Sequence, residues 1–559
     1  MNFHLIRFPK RCPDWLMTLL VTTYLLLVFN SCFFATVAEL QGLSGLQNLT
    51  YLGSLFLLLP TIINLFLTLV AIPWLLKPVT ILILISAAFA AYFMQTYNVM
   101  IDKTMIQNMM ETDVAETSEL VNSSMLLYIC LSGLLPALLI AKIKISYGSP
   151  LQFALGKIAI LMISATAMAL ISISFYQDYA SLFRNHRYVR NLIVPVNYIY
   201  ALQAWGKQKL PQQQAQFQLL GEDAQLGPSW TSANPKRVVT VLIVGETARS
   251  ANFSLFDYAR NTTPRLAQQD LIRFSNFYAC GTSTAVSVPC MFSNLNRSEF
   301  DNYRANQSEN LLDVLQRAGL RVKWIDNNSG CKGVCDRVES DKLVLELDSA
   351  NCVENECFDM GLIGKLQQTI DASERDMVVV LHQKGSHGPA YFMRTPKQFQ
   401  QFIPVCHTNQ LQECSQQEII NAYDNTILYT DYFVSAVIDY LKNQQESIDA
   451  SLIYLSDHGE SLGEHNIYLH GLPYMLAPEE QTHVPLLVWM ADDFADRFAI
   501  DKGCLQGISA RRFEHDNLFD SILGLLDVRT SAYRQQQDIF SGCHSPAVIE
   551  PGNSVAAGE

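Results

Sequence analysis

Glu246 and the pair Asp457 and His458 stand directly behind short apolar runs, VVTVLIVG (238–245) and ASLIYLS (450–456). A third run, DMVVVLH (376–382), ends on His382 and opens into QKGSHGP with His387, and His470 follows in YLHG. If these runs are strands of one sheet, their carboxyl ends share an edge, which is where open α/β sheets collect ligands. Glutamate, aspartate and histidine converging on such an edge form the donor set that suits zinc. Taken singly, a strand-end carboxylate is more often a helix cap. Repetition at successive strand ends is what capping alone does not explain.

Hydroxyls offer the reacting group. In YACGTSTAVSVPCMFSNL (278–295), Thr282, Ser283 and Thr284 precede a helix start and lie between Cys280 and Cys290. A helix N-terminus presents unpaired N–H groups to a phosphate, and a hydroxyl beside zinc has its pKa lowered for covalent catalysis. Without the metal set the same residues read equally well as a helix cap in a disulfide loop, and the residue types do not choose among the three hydroxyls. A second polar pattern, QNMMETDVAE (107–116), puts Asn108, Thr112 and Glu116 on one helical face. That stripe suits an ammonium headgroup, although by itself it reads as a solvated face.

The elements that must position these residues follow from periodicity. The three runs, with LRVKWI (320–325) and VPLLVWM (484–490), are continuous and rich in β-branched residues, as parallel strands buried on both faces are. Helices are expected at 308–319 and over the amphipathic stretch 416–442. The predicted fold from 236 to 545 is α/β, a mostly parallel sheet with helices on both faces, and residues 546–559 are expected to form a flexible tail.

The chain of 559 residues has 49% hydrophobic but only 16% charged residues and a mean hydropathy of +0.13, against roughly 25% charged in a soluble protein. Its net charge of −13 excludes a general nucleic-acid binder. Apolar stretches at about 14–38, 51–75, 78–97, 124–141 and 157–176 predict five transmembrane helices, which make up a membrane domain over 1–177. Arg7, Lys10, Arg11, Lys77, Lys142, Lys144 and Lys157 fall in alternate short loops, which are therefore cytoplasmic. Everything after about 177 is then exported. Residues 178–235 read as an interfacial segment, with Arg184, Arg187 and Arg190 among aromatic and aliphatic residues, followed by the polar linker QKLPQQQAQFQ.

Cysteine placement gives an independent check. Ten of the 13 cysteines lie in the exported part, where disulfides persist. Close spacing pairs Cys280 with Cys290, Cys331 with Cys335, Cys352 with Cys357 and Cys406 with Cys414, and leaves Cys504 for Cys543. Zinc binding by Cys331 and Cys335 is the rival, disfavoured because no second CxxC or His pair completes a structural site.

VGET (244–247), CGTSTAVSVPCMFS (280–293) and SDHGESLGE (456–464) occur in the order and context of the alkaline-phosphatase-like superfamily. Over nearly its whole length the chain resembles the lipid A phosphoethanolamine transferases, which include the mobilised colistin-resistance enzymes. That resemblance implies five membrane spans and a disulfide-rich periplasmic catalytic domain of the alkaline-phosphatase/sulfatase type. It implies Glu246, Thr284, Asp457 and His458 as ligands of one zinc ion, a second being possible, with Thr284 as the nucleophile. His387 and His470 match histidines that hold the phosphate or a second zinc, and Asn328, Ser329 and Lys332 match substrate-binding positions. A surface lysine needs no role on its own. Family contacts at positions matching Asn108, Thr112 and Glu116 turn the polar stripe into an expected headgroup site.

The implied reaction takes phosphoethanolamine from phosphatidylethanolamine to a phosphate of lipid A through a covalent threonine intermediate, at the periplasmic face of a bacterial inner membrane. It would lower the negative charge of the outer membrane and so confer resistance to polymyxin, colistin and cationic peptides. A monomer is expected. The alternatives are a phosphoethanolamine or phosphoglycerol transferase acting on another envelope glycan, or a non-catalytic membrane receptor on a degenerate hydrolase fold. The intact set Glu246, Thr284, Asp457 and His458 speaks against the receptor, and CGTSTA lacks the Cys/Ser-x-Pro-x-Arg pattern of sulfatases.

Overall fold

The computed structural model describes residues 11–40, 46–112, 117, 119–209, 217–231, 236–344, 351–353 and 356–544. The chain divides into two compact units, one of Met1–Ile106 with Val121–Lys207, the other of Gln107–Leu120 with Gln208–Glu559.

The first unit is helical. Four helices are long and apolar enough to cross a membrane, Thr50–Val70, Leu76–Tyr97, Ser123–Lys142 and Pro150–Ser174, and a bent pair, Asp14–Phe29 with Ser31–Leu40, makes a fifth span if counted as one. The stretch expected as a single helix over 14–38 is therefore broken, with a 59° bend. The cause is Asn30. Its Nδ2 donates to the carbonyls of Leu25 and Val194, both at 2.9 Å, and its Oδ1 accepts from the Val194 amide at 3.0 Å. A side chain bonded to a distant backbone in this way breaks the helical ladder at its own position. Helix Pro150–Ser174 is only 6% buried over its apolar window, as a helix facing hydrocarbon would be. The stretch from 178 onward folds against these helices: Tyr179, Leu182, Val189, Leu192, Val194 and Tyr198 are buried in their core, so the unit runs on to Lys207. Residues 210–216 of the polar tract and the tail from 545 lie outside the described residues.

The second unit is built on a seven-stranded sheet: β1 (Arg237–Gly245), β2 (Ile272–Phe274), β3 (Arg321–Asp326), β4 (Glu339–Lys342), β5 (Met377–His382), β6 (Ile448–Ser456) and β7 (Leu486–Met490), in the order β2-β7-β6-β1-β5-β3-β4. The sheet is mixed. From β6 to β4 every neighbouring pair is parallel, whereas β7 pairs antiparallel with both β6 and β2. The run 484–490, expected as a parallel strand, thus runs against its neighbours; its apolar pattern is the same in either direction. Residues of β1, β5 and β6 are almost wholly buried, which explains their unbroken apolar character. Helix α1 (Thr284–Met291) opens at the hydroxyl cluster, and helix α2 (Gln416–Asn443) starts at a capping box of Ser415 and Glu418. The helix expected over 308–319 spans Leu311–Arg317, capped by Asn310. The cysteines are bonded in the pairs Cys280–Cys290, Cys331–Cys335, Cys352–Cys357, Cys406–Cys414 and Cys504–Cys543.

Candidate active site

Parallel pairing brings the first two carboxylates together. Ser456 of β6 lies opposite Gly245 of β1, and the Asp457 amide donates to the Gly245 carbonyl at 2.9 Å. Glu246 and Asp457 therefore leave the sheet side by side, and both are wholly buried together with His458. One ligand atom from each of Glu246, Asp457 and His458 lies within 4.8 Å of the others. Two buried carboxylates this close repel unless a cation sits between them. Asp457 Oδ2 has no hydrogen-bond partner among the described residues, and a buried carboxylate oxygen left so calls for a ligand. The donor set and this orphan oxygen fit a divalent metal ion. His458 Nδ1 lies 2.9 Å from the Gly459 carbonyl; donating there fixes the ring with Nε2 turned to the cluster.

Of the three candidate hydroxyls, the structure brings Thr284 to this centre. Its Oγ1 donates to Glu246 Oε1 and Oε2, each at 3.1 Å, and lies 3.3 Å from His458 Nε2. Thr282 instead donates to the Leu472 carbonyl at 2.6 Å, and Ser283 occupies the position before α1 without capping it. Of the first-turn amides of α1, that of Val286 donates to the Ser283 carbonyl at 3.0 Å, and those of Thr284 and Ala285, at the very start of the helix, face whatever anion Thr284 meets. His515, buried behind, ties the Cys280 loop to β6: its Nδ1 accepts from the Cys280 amide at 3.2 Å and its Nε2 donates to the Ser456 carbonyl at 3.0 Å. Burial pushes its pKa down to about 3, which keeps the bridging ring neutral.

The loop after β5 closes the other side. Gly385 has φ +54°, and a Cβ there would lie 2.6 Å from the Glu246 carbonyl, so only glycine lets the loop approach; the Ser386 amide donates to that carbonyl at 3.0 Å. Beyond it the His387, His470 and His458 rings form a row, with centroids 5.7 and 4.4 Å apart along it. Glu460 Oε1 lies 3.2 Å from His470 Nδ1.

Asn328 is placed behind Glu246 and not in an open groove. Its Nδ2 donates to Glu246 Oε2 at 2.6 Å and to the Gln383 carbonyl at 2.9 Å. His382 stands a layer further back, 3.3 Å from both Asn328 Nδ2 and Asp326 Oδ2. Ser329 and Lys332 do line a polar cavity of about 480 Å³, with Glu111, Ser293, Asn306 and Arg337 around it, and Lys332 Nζ donates to Ser329 Oγ at 2.9 Å and to the Glu111 carbonyl at 3.3 Å. Asn108 lies in helix Lys103–Glu111, and the Thr112 hydroxyl donates to the Asn108 carbonyl at 2.7 Å. Glu116 lies outside the described residues. The rival zinc reading of Cys331 and Cys335 falls, because they are bonded to each other.

Several residues that shape the centre carry no signal in the sequence. Thr247 sits at φ +57°, strained for a β-branched residue. It is held by Asp457 Oδ1, which accepts its amide at 3.1 Å, and by the Tyr423 hydroxyl, which donates to its carbonyl at 2.7 Å. Glu246, Asp457 and His458 set one another's charge states. Burial opposes charge on His458, but Asp457 and Glu246 outweigh it and raise the imidazole to about 10. Burial likewise opposes charge on Glu246, yet His458 holds it well below the usual carboxylate range, while burial and Glu246 push Asp457 up.

Comparison with known proteins agrees with this geometry. Residues 239–528 match the sulfatase family model and residues 59–210 the model for phosphoethanolamine transferase EptA/EptB. The chain is 43% identical over 534 residues, 95% of its own length and 96% of the relative's, to phosphoethanolamine transferase EptA of Salmonella typhimurium. It is 40% identical to phosphatidylethanolamine transferase Mcr-1 of Escherichia coli, covering 74% of this chain and 78% of that one. The integral membrane protein lipooligosaccharide phosphoethanolamine transferase A of Neisseria meningitidis superposes with a TM-score of 0.91 at 36% identity, covering 96% of this chain and 100% of that one. The chain belongs to the EptA family of phosphoethanolamine transferases, in the alkaline-phosphatase superfamily.

Proposed function

We propose that this chain is an inner-membrane enzyme that transfers phosphoethanolamine from phosphatidylethanolamine to a phosphate of lipid A at the periplasmic face. The observation that carries the reading is the Thr284 hydroxyl directed at Glu246 and His458 beside Asp457, at the start of a helix. The names of the relatives support phosphoethanolamine as the transferred group, phosphatidylethanolamine as its donor and a lipid A-type glycolipid as its acceptor. We count the bent pair as one span, which gives five and an exported catalytic unit. We read the chain as acting as a monomer, with a catalytic domain over 236–545.

Glu246, Thr284, Asp457 and His458 would hold one zinc ion, with His387 and His470 available to a second or to the phosphate. Bound zinc would supply the positive charge that lowers the pKa of a hydroxyl and steadies charge on phosphate oxygens. In the first half-reaction Thr284 Oγ1, its proton released to solvent, forms a bond to phosphorus, the bond to the diacylglycerol oxygen breaks, and His387 or His470 hands that oxygen its proton. The amides opening α1 stabilise the charge that develops. In the second, a phosphate oxygen of lipid A attacks the threonine-bound phosphorus and Thr284 Oγ1 leaves. Asn328 orients Glu246, and Lys332 with Ser329 receives the headgroup side of the donor together with Asn108, Thr112 and Glu116. The added ammonium lowers the negative charge of the outer membrane and hence its attraction for polymyxins and cationic peptides.

Lipid A from cells expressing the chain should carry phosphoethanolamine by mass spectrometry, and lipid A from cells lacking it should not. An unmodified lipid A alongside a modified core or other glycan would move the acceptor elsewhere.

Zinc binding should also release protons. With His458 raised to about 10 by its two carboxylates, the metal-free site is protonated at pH 7, and an imidazole must lose that proton to become a ligand. Affinity therefore falls as pH falls, by about tenfold for each unit below that value, since one proton competes with one ion. Calorimetric titration of zinc at pH 7 in buffers of different ionisation heat should show about one proton released per ion. Binding heats independent of the buffer would contradict this account of the site.

A further inference from the structure

We propose that Glu119 is a positioning residue for the transfer: acting through Arg394, it fixes the backbone of His387 and anchors the segment that carries Asn108 and Thr112. The proposal rests on the functional reading above and adds to it a residue far from the metal ligands in sequence.

Arg394 is wholly buried in the second unit. Its guanidinium is used in three directions. Nη1 pairs with Glu356, Nη2 pairs with Glu119, and Nε donates to the His387 carbonyl at 2.8 Å. Glu356 alone would neutralise the guanidinium, but it has a second cation in Lys384 Nζ at 3.9 Å. With two cations on one carboxylate, charge balance calls for Glu119 as well. Geometry calls for it too, because a planar fork with rigidly placed donors keeps Nε on the His387 carbonyl only while its other edges are held. Removing one partner leaves buried donors unpaired and free to turn.

Glu119 belongs to the stretch Gln107–Leu120, which is grouped with the catalytic unit although it interrupts the helical one in sequence. The described residues of this stretch reach the catalytic residues at spaced points. Gln107 Nε2 donates to the Ala285 carbonyl, next to the nucleophile, at 3.5 Å, and Lys332 Nζ donates to the Glu111 carbonyl at 3.3 Å. At the far end Asn409 Nδ2 donates to the Glu119 carbonyl, while the Glu119 carboxylate takes Arg394. One ion pair thus links Glu119, which follows Asn108 and Thr112 in the chain, to the loop that presents His387.

The test uses the full-length chain in detergent micelles with phosphatidylethanolamine, following adduct formation on Thr284 by peptide mass spectrometry. Glu119→Gln, which keeps shape and removes charge, should slow adduct formation on the order of 10- to 100-fold, the scale of misplacing a catalytic group by about 1 Å. Metal content should stay at the parent value, while the melting temperature should fall modestly, because a buried guanidinium loses a charged partner. The loss should appear in kcat, and the pH limb that His387→Ala removes should shift in Glu119→Gln. Arg394→Lys, which keeps the charge but not the fork, should be slowed similarly, and the double variant should be no slower than Arg394→Lys alone, since both act through one contact. A Glu119→Gln variant matching the parent, or a double variant whose losses multiply, overturns the proposal alone. A parent that forms no Thr284 adduct overturns the functional reading and this proposal with it.

Discussion

Thr284→Ala is expected to abolish both the covalent intermediate and transfer to lipid A, with a loss on the order of 10⁴- to 10⁶-fold, as for removal of a covalent nucleophile elsewhere. No described residue replaces it. The neighbouring Thr282 hydroxyl is bonded to the Leu472 carbonyl, and Ser283 lies before the helix and not on its first turn. Stability should change by no more than about 0.5 to 1 kcal/mol, because the lost methyl and hydroxyl are only half-buried and fill no core. Zinc should still bind through Glu246, Asp457 and His458, though more weakly. Thr284→Ser should keep part of the activity, since the hydroxyl stays within reach of Glu246 but loses the β-branch that limits its rotamers. Peptide mass spectrometry after incubation with phosphatidylethanolamine checks this. An adduct on Thr282 or Ser283, or an Ala variant working near the parent rate, would remove Thr284 from the centre of the mechanism.

The sheet was largely legible because its central strands are buried on both faces and so appear as unbroken β-branched runs. β2 and β4 were not. Ile272–Phe274 is three residues long, and Glu339–Lys342 reads ESDK, an exposed edge strand with no apolar signature. The direction of β7 was also hidden, since hydrophobicity carries no arrow. The break at Asn30 depends on the backbone of Val194, 164 residues later, and no local pattern records such a contact.

At the site, the residues standing immediately after strand ends were legible, because topology alone brings Glu246, Asp457 and His458 to one edge. Thr284 could be separated from Thr282 and Ser283 only through family resemblance, and in the structure through the Glu246 contact. Asn328 was placed near the chemistry, but its bond to Glu246 makes it a support for a ligand. His382, at a strand end like the others, turns toward Asp326 and is one layer removed. Arg394, His515 and Tyr423 were invisible: His515 and Tyr423 act by hydrogen bonds to backbone atoms far away in sequence, and Arg394 depends on Glu119, 275 residues earlier, and such contacts leave no spacing to read.

Asp457→Asn should separate the metal's contribution from that of the fold, because its sign changes with conditions. Asp457 Oδ1 accepts the amides of Thr247 at 3.1 Å and His458 at 2.7 Å, and an asparagine carbonyl preserves both bonds. Oδ2 is the atom left without a hydrogen bond, 3.5 Å from His458 Nε2, and there the substitution replaces the proposed ligand oxygen with an N–H donor. In the presence of a chelator the variant should be at least as stable as the parent, since it removes one of two buried carboxylates that repel each other and leaves Glu246 paired with a protonated His458. With zinc present the order reverses. The parent gains the linkage term, about 4 kcal/mol when free zinc is a thousandfold above its dissociation constant, and the variant gains little of it. Transfer should fall with the zinc, by several orders of magnitude at limiting metal. Melting curves of the full-length chain with chelator and with zinc, together with zinc content by elemental analysis, read out both halves of the expectation. A variant that binds zinc with parent stoichiometry and shows the parent's zinc-dependent rise in Tm would take Asp457 out of the ligand set and leave its buried charge without a physical account.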